Sequence, residues 1–485
     1  MHRWLALFLA AALLLSGCSA GTAEELDMIS GVGQLEFSTE SSEDPYEEEF
    51  PPSYTITEDE ESQTSVEESS AASSSQQEAT SSSSSSQSSS SPQQSSSSQS
   101  ESSSRPEPKP ESSSKEEEDE EEEDWQGGSS AVSGEISAVW VSYLDLAPML
   151  TGKTKSQFTS NIGNAFDKIA DTGFNTVIVQ VRPFADALYD SDYFPWSYLC
   201  TGTEGKDPGY DPLAIMVSQA HSRGLEIEAW LNPYRVRATN YTKPLSSSNQ
   251  ASIWLDEGSD AVVEYKGGIY YNPASEEARE LILNGVEEIV DNYDVDGIHM
   301  DDYFYPDPDK SFDADSYAEY EGNLSLGNWR RQNVNTLVKG IYSTVKNADS
   351  SVRFGISPTG NNDNNYNKQY ADVAKWAGSS GYVDYICPQI YWGYDHSTMP
   401  YAETVSDWDD MVTSSSVKLI VGIGAYRLGE SGEWSGTSDI LARMVKTARK
   451  ADNYGGIAMY RYDSLYNSSV PKQAARECAN LSDIL

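Results

Sequence analysis

Eight short apolar runs, each followed by a stretch with helical periodicity, recur through the last 350 residues of this chain and constrain its fold more than any other feature. The runs are Ser137–Tyr143, Thr176–Arg182, Glu226–Asn232, Gly297–Asp302, Val352–Ser357, Tyr382–Tyr391, Lys418–Ala425 and Gly456–Tyr462. Helical patterns lie between them, among them Phe158–Ala170, Pro212–Arg223 and Ser275–Asn292. Asp211-Pro212 and Pro273-Ala-Ser275 mark helix starts, and Gly173 and Gly224 mark stops. Strands that alternate with helices in this way predict an α/β fold with a parallel sheet, and eight of them predict a (β/α)8 TIM barrel. An open, doubly wound sheet is the alternative. It would normally carry a Gly-rich phosphate loop after a strand, and no such loop is present.

In a parallel barrel, functional side chains gather at the C-terminal ends of the strands. Polar and aromatic residues do so here: Gln180-Val-Arg182-Pro-Phe-Ala-Asp186 after the second strand, Trp230-Leu-Asn-Pro-Tyr-Arg235 after the third, Pro388-Gln-Ile-Tyr-Trp392 after the sixth. The fourth ends in Asp296-Gly-Ile-His-Met-Asp-Asp-Tyr-Phe-Tyr-Pro306. Alternation puts Ile298 and Met300 on one face of this strand and His299, Asp301 and Tyr303 on the other. Aromatic rings for the faces of sugars, with amides, Arg and carboxylates for their hydroxyls, make a carbohydrate-type cleft. The chain's 30 Tyr and 11 Trp fit that reading, although many of the rings must be core.

The region from about Glu135 to Tyr462 resembles the bacterial glycosyl-hydrolase-like family 10. The resemblance rests on Ala138-Val-Trp-Val-Ser142, Gln180-Val-Arg-Pro183, Asp186-Ala-Leu-Tyr189, Pro195-Trp-Ser197, Pro208-Gly-Tyr-Asp-Pro-Leu213, Trp230–Arg235, Asp296–Pro306 and Pro388-Gln-Ile-Tyr391. It implies a TIM-barrel glycoside hydrolase, and one branch of the family cuts peptidoglycan glycan strands stripped of their peptides. Asp296–Asp301 is also similar to the acidic strand of family 18 chitinases, with Tyr303 where their acid Glu would stand.

Glycoside hydrolysis usually needs two carboxyl groups. Asp301 is the expected charged member, with His299 orienting it and Arg182 holding its pKa down. Asp302 and Asp186 are the other expected catalytic groups. Asp186 would reach over the mouth as general acid, with Glu204 and Asp395 as competitors, while Glu228 lies too deep. Arg182, Asn232, Tyr234, His299, Tyr303, Gln389, Tyr391 and Trp392 are expected to bind substrate. Trp140 and Trp196 are further stacking candidates. With four histidines in the whole chain, no metal or other cofactor is expected. The alternative reading is a non-catalytic glycan-binding lipoprotein that keeps the cleft without the chemistry.

Charge and termini set the context. His2 and Arg3 precede the apolar run Trp4–Leu15, which closes with Leu15-Ser-Gly-Cys18. Residues 1–17 read as a signal peptide of bacterial lipobox type, cleaved so that Cys18 carries lipid. Residues 18–134 read as a disordered, Ser/Glu-rich linker. Between Glu24 and Asp124 stand 29 acidic against three basic residues, more than half of the whole chain's −45. A coil of this length averages roughly 60 Å end to end, enough to hold the 135–485 barrel away from a membrane. The expected location is the extracytoplasmic face of the bacterial membrane, held by the lipid alone. The barrel region is itself acidic, which argues against a nucleic-acid partner. After Cys18 only Cys200, Cys387 and Cys478 remain, with no metal-type spacing.

Overall fold

A computed structural model of the protein describes residues 134–239 and 243–485. The expected signal peptide, Cys18 and all but the last residue of the expected linker lie outside them. Twelve strands are present among the described residues: β1 (Ile136–Val141), β2 (Thr176–Arg182), β3 (Glu226–Leu231), β4 (Arg235–Arg237), β5 (Val262–Tyr265), β6 (Gly268–Tyr271), β7 (Gly297–Met300), β8 (Arg353–Ile356), β9 (Tyr385–Ile386), β10 (Gln389–Ile390), β11 (Lys418–Gly424) and β12 (Tyr454–Tyr460). Nine are parallel and run in the order β10-β11-β12-β1-β2-β3-β7-β8-β9. Pairing of β9 with β11 closes the ring. Because β9 and β10 are two pieces of one stave, the ring has the eight members expected, and the open-sheet alternative falls. Pro388 separates the pieces, since it has no N–H to give to the ladder.

The helices begin and end on the expected signals. Asp211 Oδ1 accepts from Ala214 N at 2.9 Å and Ser275 Oγ from Ala278 N at 3.2 Å. Gly173, at φ 102°, ends Lys155–Thr172 in the left-handed conformation that costs glycine least.

Strand alternation sorts the core into two layers. Val139, Val141, Val177, Val179, Ile298 and Met300 face the helices. Ile136, Ala138, Trp140, Ile178, Trp230, Tyr385, Ile420 and Ala458 fill the barrel. Glycines make room for the interior rings: a methyl on Gly355 would sit in the Tyr385 ring, and one on Gly422 would come within 3.2 Å of Trp140.

One element was absent from the expectation. After β3 the chain forms a small antiparallel sheet, in the order β4-β6-β5. Its β5–β6 hairpin turns through Lys266 (φ 47°) and Gly267 (φ 86°), both with positive φ as a tight two-residue turn requires. This sheet fixes Arg235 beside the mouth of the barrel.

Candidate active site

Asp301 and Asp302 follow β7 directly, at the C-terminal end of the barrel. Asp301 is 4 % exposed and meets only donors. Asn232 Nδ2 reaches its two oxygens at 2.8 and 3.0 Å, Trp230 Nε1 donates at 3.1 Å and Tyr303 N at 3.2 Å. The Asn232 amide is itself held, because its Oδ1 accepts from Gln180 Nε2 at 2.7 Å and Gln180 Oε1 accepts from Tyr143 N at 3.0 Å. Burial, then the neighbouring Asp302 charge, push the Asp301 carboxyl up to about 7, while Arg235, Tyr303 N–H and Asn232 pull the other way.

Asp302 has a different environment. It is half-buried, and each of its oxygens accepts from one amide: Gln369 Nε2 at 3.2 Å and Gln389 Nε2 at 3.3 Å. Gln389 Nε2 also donates to Ser357 O at 3.0 Å, which fixes that amide. Gln369 Oε1 is buried with no hydrogen-bond partner in the structure. Burial raises the Asp302 carboxyl and the two amides oppose it. The Arg235 guanidinium lies over the Tyr303 ring (4.0 Å) and the Phe184 ring (4.7 Å), on the acidic pair's side of the mouth.

Several residues expected at the site are placed elsewhere. His299 does not orient Asp301. Trp140 Nε1 donates to its Nε2 at 3.2 Å, so its Nδ1 carries the proton and donates to Tyr385 Oη at 2.7 Å. Tyr385 in turn donates to Glu228, which also accepts from Arg353. This buried chain forms the barrel floor, and burial drives the imidazole down to about 3, keeping it neutral.

Arg182 does not meet Asp301 either. The β2–β3 register slips between Gln180 and Arg182, and this bulge turns Arg182 to the outer face. There it is 1 % exposed, with its guanidinium 4.2 Å from the Phe194 ring centroid. The cation near Asp301 is Arg235 instead.

Tyr234 is outer core, 2 % exposed, and is not a substrate contact. Trp392 follows Tyr391 and so faces away, donating to Thr404 Oγ1 at 3.4 Å beside His396. Trp196 packs on the outer core. Asp186 does not reach over the mouth. It is 2 % exposed and accepts from Tyr198 N at 3.1 Å, in a small cavity with Glu204, Arg237 and Asn249. Burial, then the Glu204 charge, raise the Asp186 carboxyl to about 7. Of the competitors, Glu204 accepts from Asn249 Nδ2 at 2.8 Å, and Asp395 N donates to Glu433 at 3.0 Å.

Asp301, Asp302, Asn232, Tyr303, Gln389 and Tyr391 are therefore brought to the C-terminal mouth. Sequence reasoning missed Gln369, which lies just past the short Asn-rich helix Asn362–Asn367 that follows β8 and carries no motif. Arg235 has no expected role in the sequence, although its place in Trp230–Arg235 is the available signal.

Against known proteins, residues 135–436 match the glycosyl hydrolase-like 10 family. The chain is 39 % identical over 337 residues to "Glycosyl hydrolase YngK" of Bacillus subtilis, across 64 % of this chain and 65 % of that protein, just under two-thirds of its length. It is 34 % identical over 329 residues to "Glycosyl hydrolase DigH" of Escherichia coli K12, across 62 % of this chain and 74 % of that protein. A solved structure, the PgaB (BpsB) glycoside hydrolase domain from Bordetella bronchiseptica, aligns at a TM-score of 0.46 and 14 % identity, covering 71 % of this chain and 98 % of that one. With a matched segment that takes in every strand of the barrel except β12, this chain belongs to the glycosyl hydrolase-like 10 family.

Proposed function

We propose that this protein hydrolyses a glycosidic bond in a cell-wall polysaccharide, with peptide-stripped peptidoglycan glycan strands as the substrate to test first. The supporting observation is the pair of neighbouring carboxyl groups at the barrel mouth with unlike environments. Every partner of Asp301 donates, which suits a carboxylate. The partners of Asp302 are two amides that donate one longer hydrogen bond each, at 3.2 and 3.3 Å, a weaker hold on the charge than the donors around Asp301 supply. Two carboxyls this close do not both ionise readily, so the pair keeps a proton near neutral pH. The pair shares one proton; when Asp302 holds it, the charge that raises Asp301 is gone, so Asp302 is the acid that protonates the leaving oxygen and Asp301 is the charged member.

Both acids come from one strand end and so approach a sugar from the same side, whereas two-carboxylate hydrolysis places its groups on either side of the scissile bond. A substrate acetamido group would then act as nucleophile, with Asp301 stabilising the positive charge that develops on it. Water completes hydrolysis by attacking the resulting ring, returning its proton to Asp302. The names of the relatives support the reaction class, and the lipobox at Cys18 with its acidic spacer supports action outside the cytoplasmic membrane. The test is mass spectrometry of products from intact sacculi and from peptide-free glycans, with Asp301→Asn and Asp302→Asn alongside. New reducing ends that both variants abolish are expected. Retention of the glycan without new ends would instead identify a binding protein, and near-parental turnover by Asp301→Asn would remove Asp301 from the mechanism.

A further inference from the structure

We propose that Tyr426, backed by Tyr391 and Tyr460, is a stacking platform for a sugar unit of the chain lying beyond the two that flank the cleaved bond. The three rings come from the ends of three adjacent staves, β10, β11 and β12. Gly424 is the register partner of Tyr460, and the β10–β11 register (Gln389 with Gly422, Ile390 with Ile423) carries on to set Tyr391 against Gly424 from the other side. A methyl on Gly424 would come within 3.0 Å of both Tyr391 Cβ and Tyr426 Cε1, so the glycine is what lets the rings close. Tyr391 and Tyr460 stack at 5.2 Å and 25°. Tyr426 stands edge-on to both, at 5.9 Å and 90° to one and 6.2 Å and 88° to the other. A tyrosine held this way by two others has little rotamer freedom left to lose on binding.

Its exposure sets Tyr426 apart. It is 42 % exposed, and only Tyr193 and Tyr366 are comparable among the described large hydrophobics. Tyr366 is covered by the Arg331 guanidinium at 3.9 Å, and Tyr193 lies in the loop that follows β2, away from the β10–β12 corner. Among the described residues, Tyr426 joins exposure to a rigid aromatic support at the C-terminal end of the barrel. The support is also tied to the acid, because Gln389, which donates to Asp302, lies two residues before Tyr391 and about 7 Å along the same face. A pyranose buries one apolar face, and a rigid phenol ring offers the matching surface without a charge to desolvate.

The inference rests on the glycan reading of the cleft, but its test reads binding and not cleavage. The full-length chain carrying Asp301→Asn is titrated with the hexamer and the dimer of β-1,4-linked N-acetylglucosamine, with and without Tyr426→Ala. The hexamer is expected to bind about tenfold more weakly to the Tyr426→Ala chain, as loss of one stacked ring implies, with the dimer unchanged. Tyr426→Phe and Tyr426→Trp are expected to restore hexamer affinity. Unchanged hexamer affinity in Tyr426→Ala would overturn the platform, as would equal weakening of both oligomers or no binding of either. Cleavage is scored separately with Asp301 intact, so an inactive enzyme whose binding depends on Tyr426 would refute the hydrolase reading alone.

Discussion

Asn232 grips Asp301 by both carboxylate oxygens from a single amide nitrogen, at 2.8 and 3.0 Å, while its own oxygen is held by Gln180 at 2.7 Å. The amide cannot turn over without losing the Gln180 bond, so Asp301 always faces a donor. That relationship, from the third stave to the fourth, favours the charged form of Asp301 against the burial that raises its carboxyl.

Asn232→Ala removes this donor and leaves Asp301 to Trp230 and Tyr303. Loss of one preorganised donor to a reacting charge commonly costs 10²–10³ in kcat. A fall of about 10²-fold in kcat, with KM little changed and the circular dichroism spectrum of the parent, is expected. An unaltered kcat would show that Asp301 works without it.

Gln369→Met removes a hydrogen bond that lowers the Asp302 pKa. The pKa should therefore rise, so the acid stays protonated to higher pH. The basic limb of the kcat/KM profile is expected to move upward, with kcat roughly tenfold lower from the lost positioning. A purely structural role for Gln369 would lower activity without moving that limb.

Asp186 gives a stability prediction. Its folded carboxyl is raised to about 7 from an ordinary value near 4, so the native state holds a proton that the unfolded chain releases. The associated stability is complete below about pH 4 and is lost as pH rises toward 7. Asp186→Asn should flatten the decline in melting temperature between pH 5 and 8, since Asn keeps an oxygen for Tyr198 N–H and carries no charge. Identical slopes for parent and variant would show that Asp186 ionises freely in the folded chain.

His299→Leu should act on the fold and not on proton transfer. It leaves Trp140 N–H without its buried partner, at about 1–3 kcal/mol, and takes one of two bonds from the Tyr385 hydroxyl, which keeps Glu228. Chemical denaturation should show a clear loss of stability, and the surviving activity should keep the parental pH limbs. A displaced limb would mean that His299 communicates with the acidic pair after all.

The sequence alone determined the eight staves, the C-terminal position of Asp301 and Asp302, and the inward face that Asp301 shares with His299. These follow from local periodicity, because which side of a strand is apolar is written residue by residue along it. Alternation would also have separated Tyr391 from Trp392, which are both expected to bind substrate and of which only Tyr391 reaches the mouth. It fails where the backbone breaks step: the bulge after Gln180 sends Arg182 outward, and Pro233 ends the stave so that Tyr234 enters the core. Only the closed tertiary structure decided the partners. Arg235 is delivered by a small sheet that follows β3, Gln369 by a loop with no motif, and the Tyr391–Tyr426–Tyr460 corner by three staves joined side by side. Such contacts bring together side chains from staves and loops far apart in the chain, and the local pattern gives the faces of each strand but not what meets them.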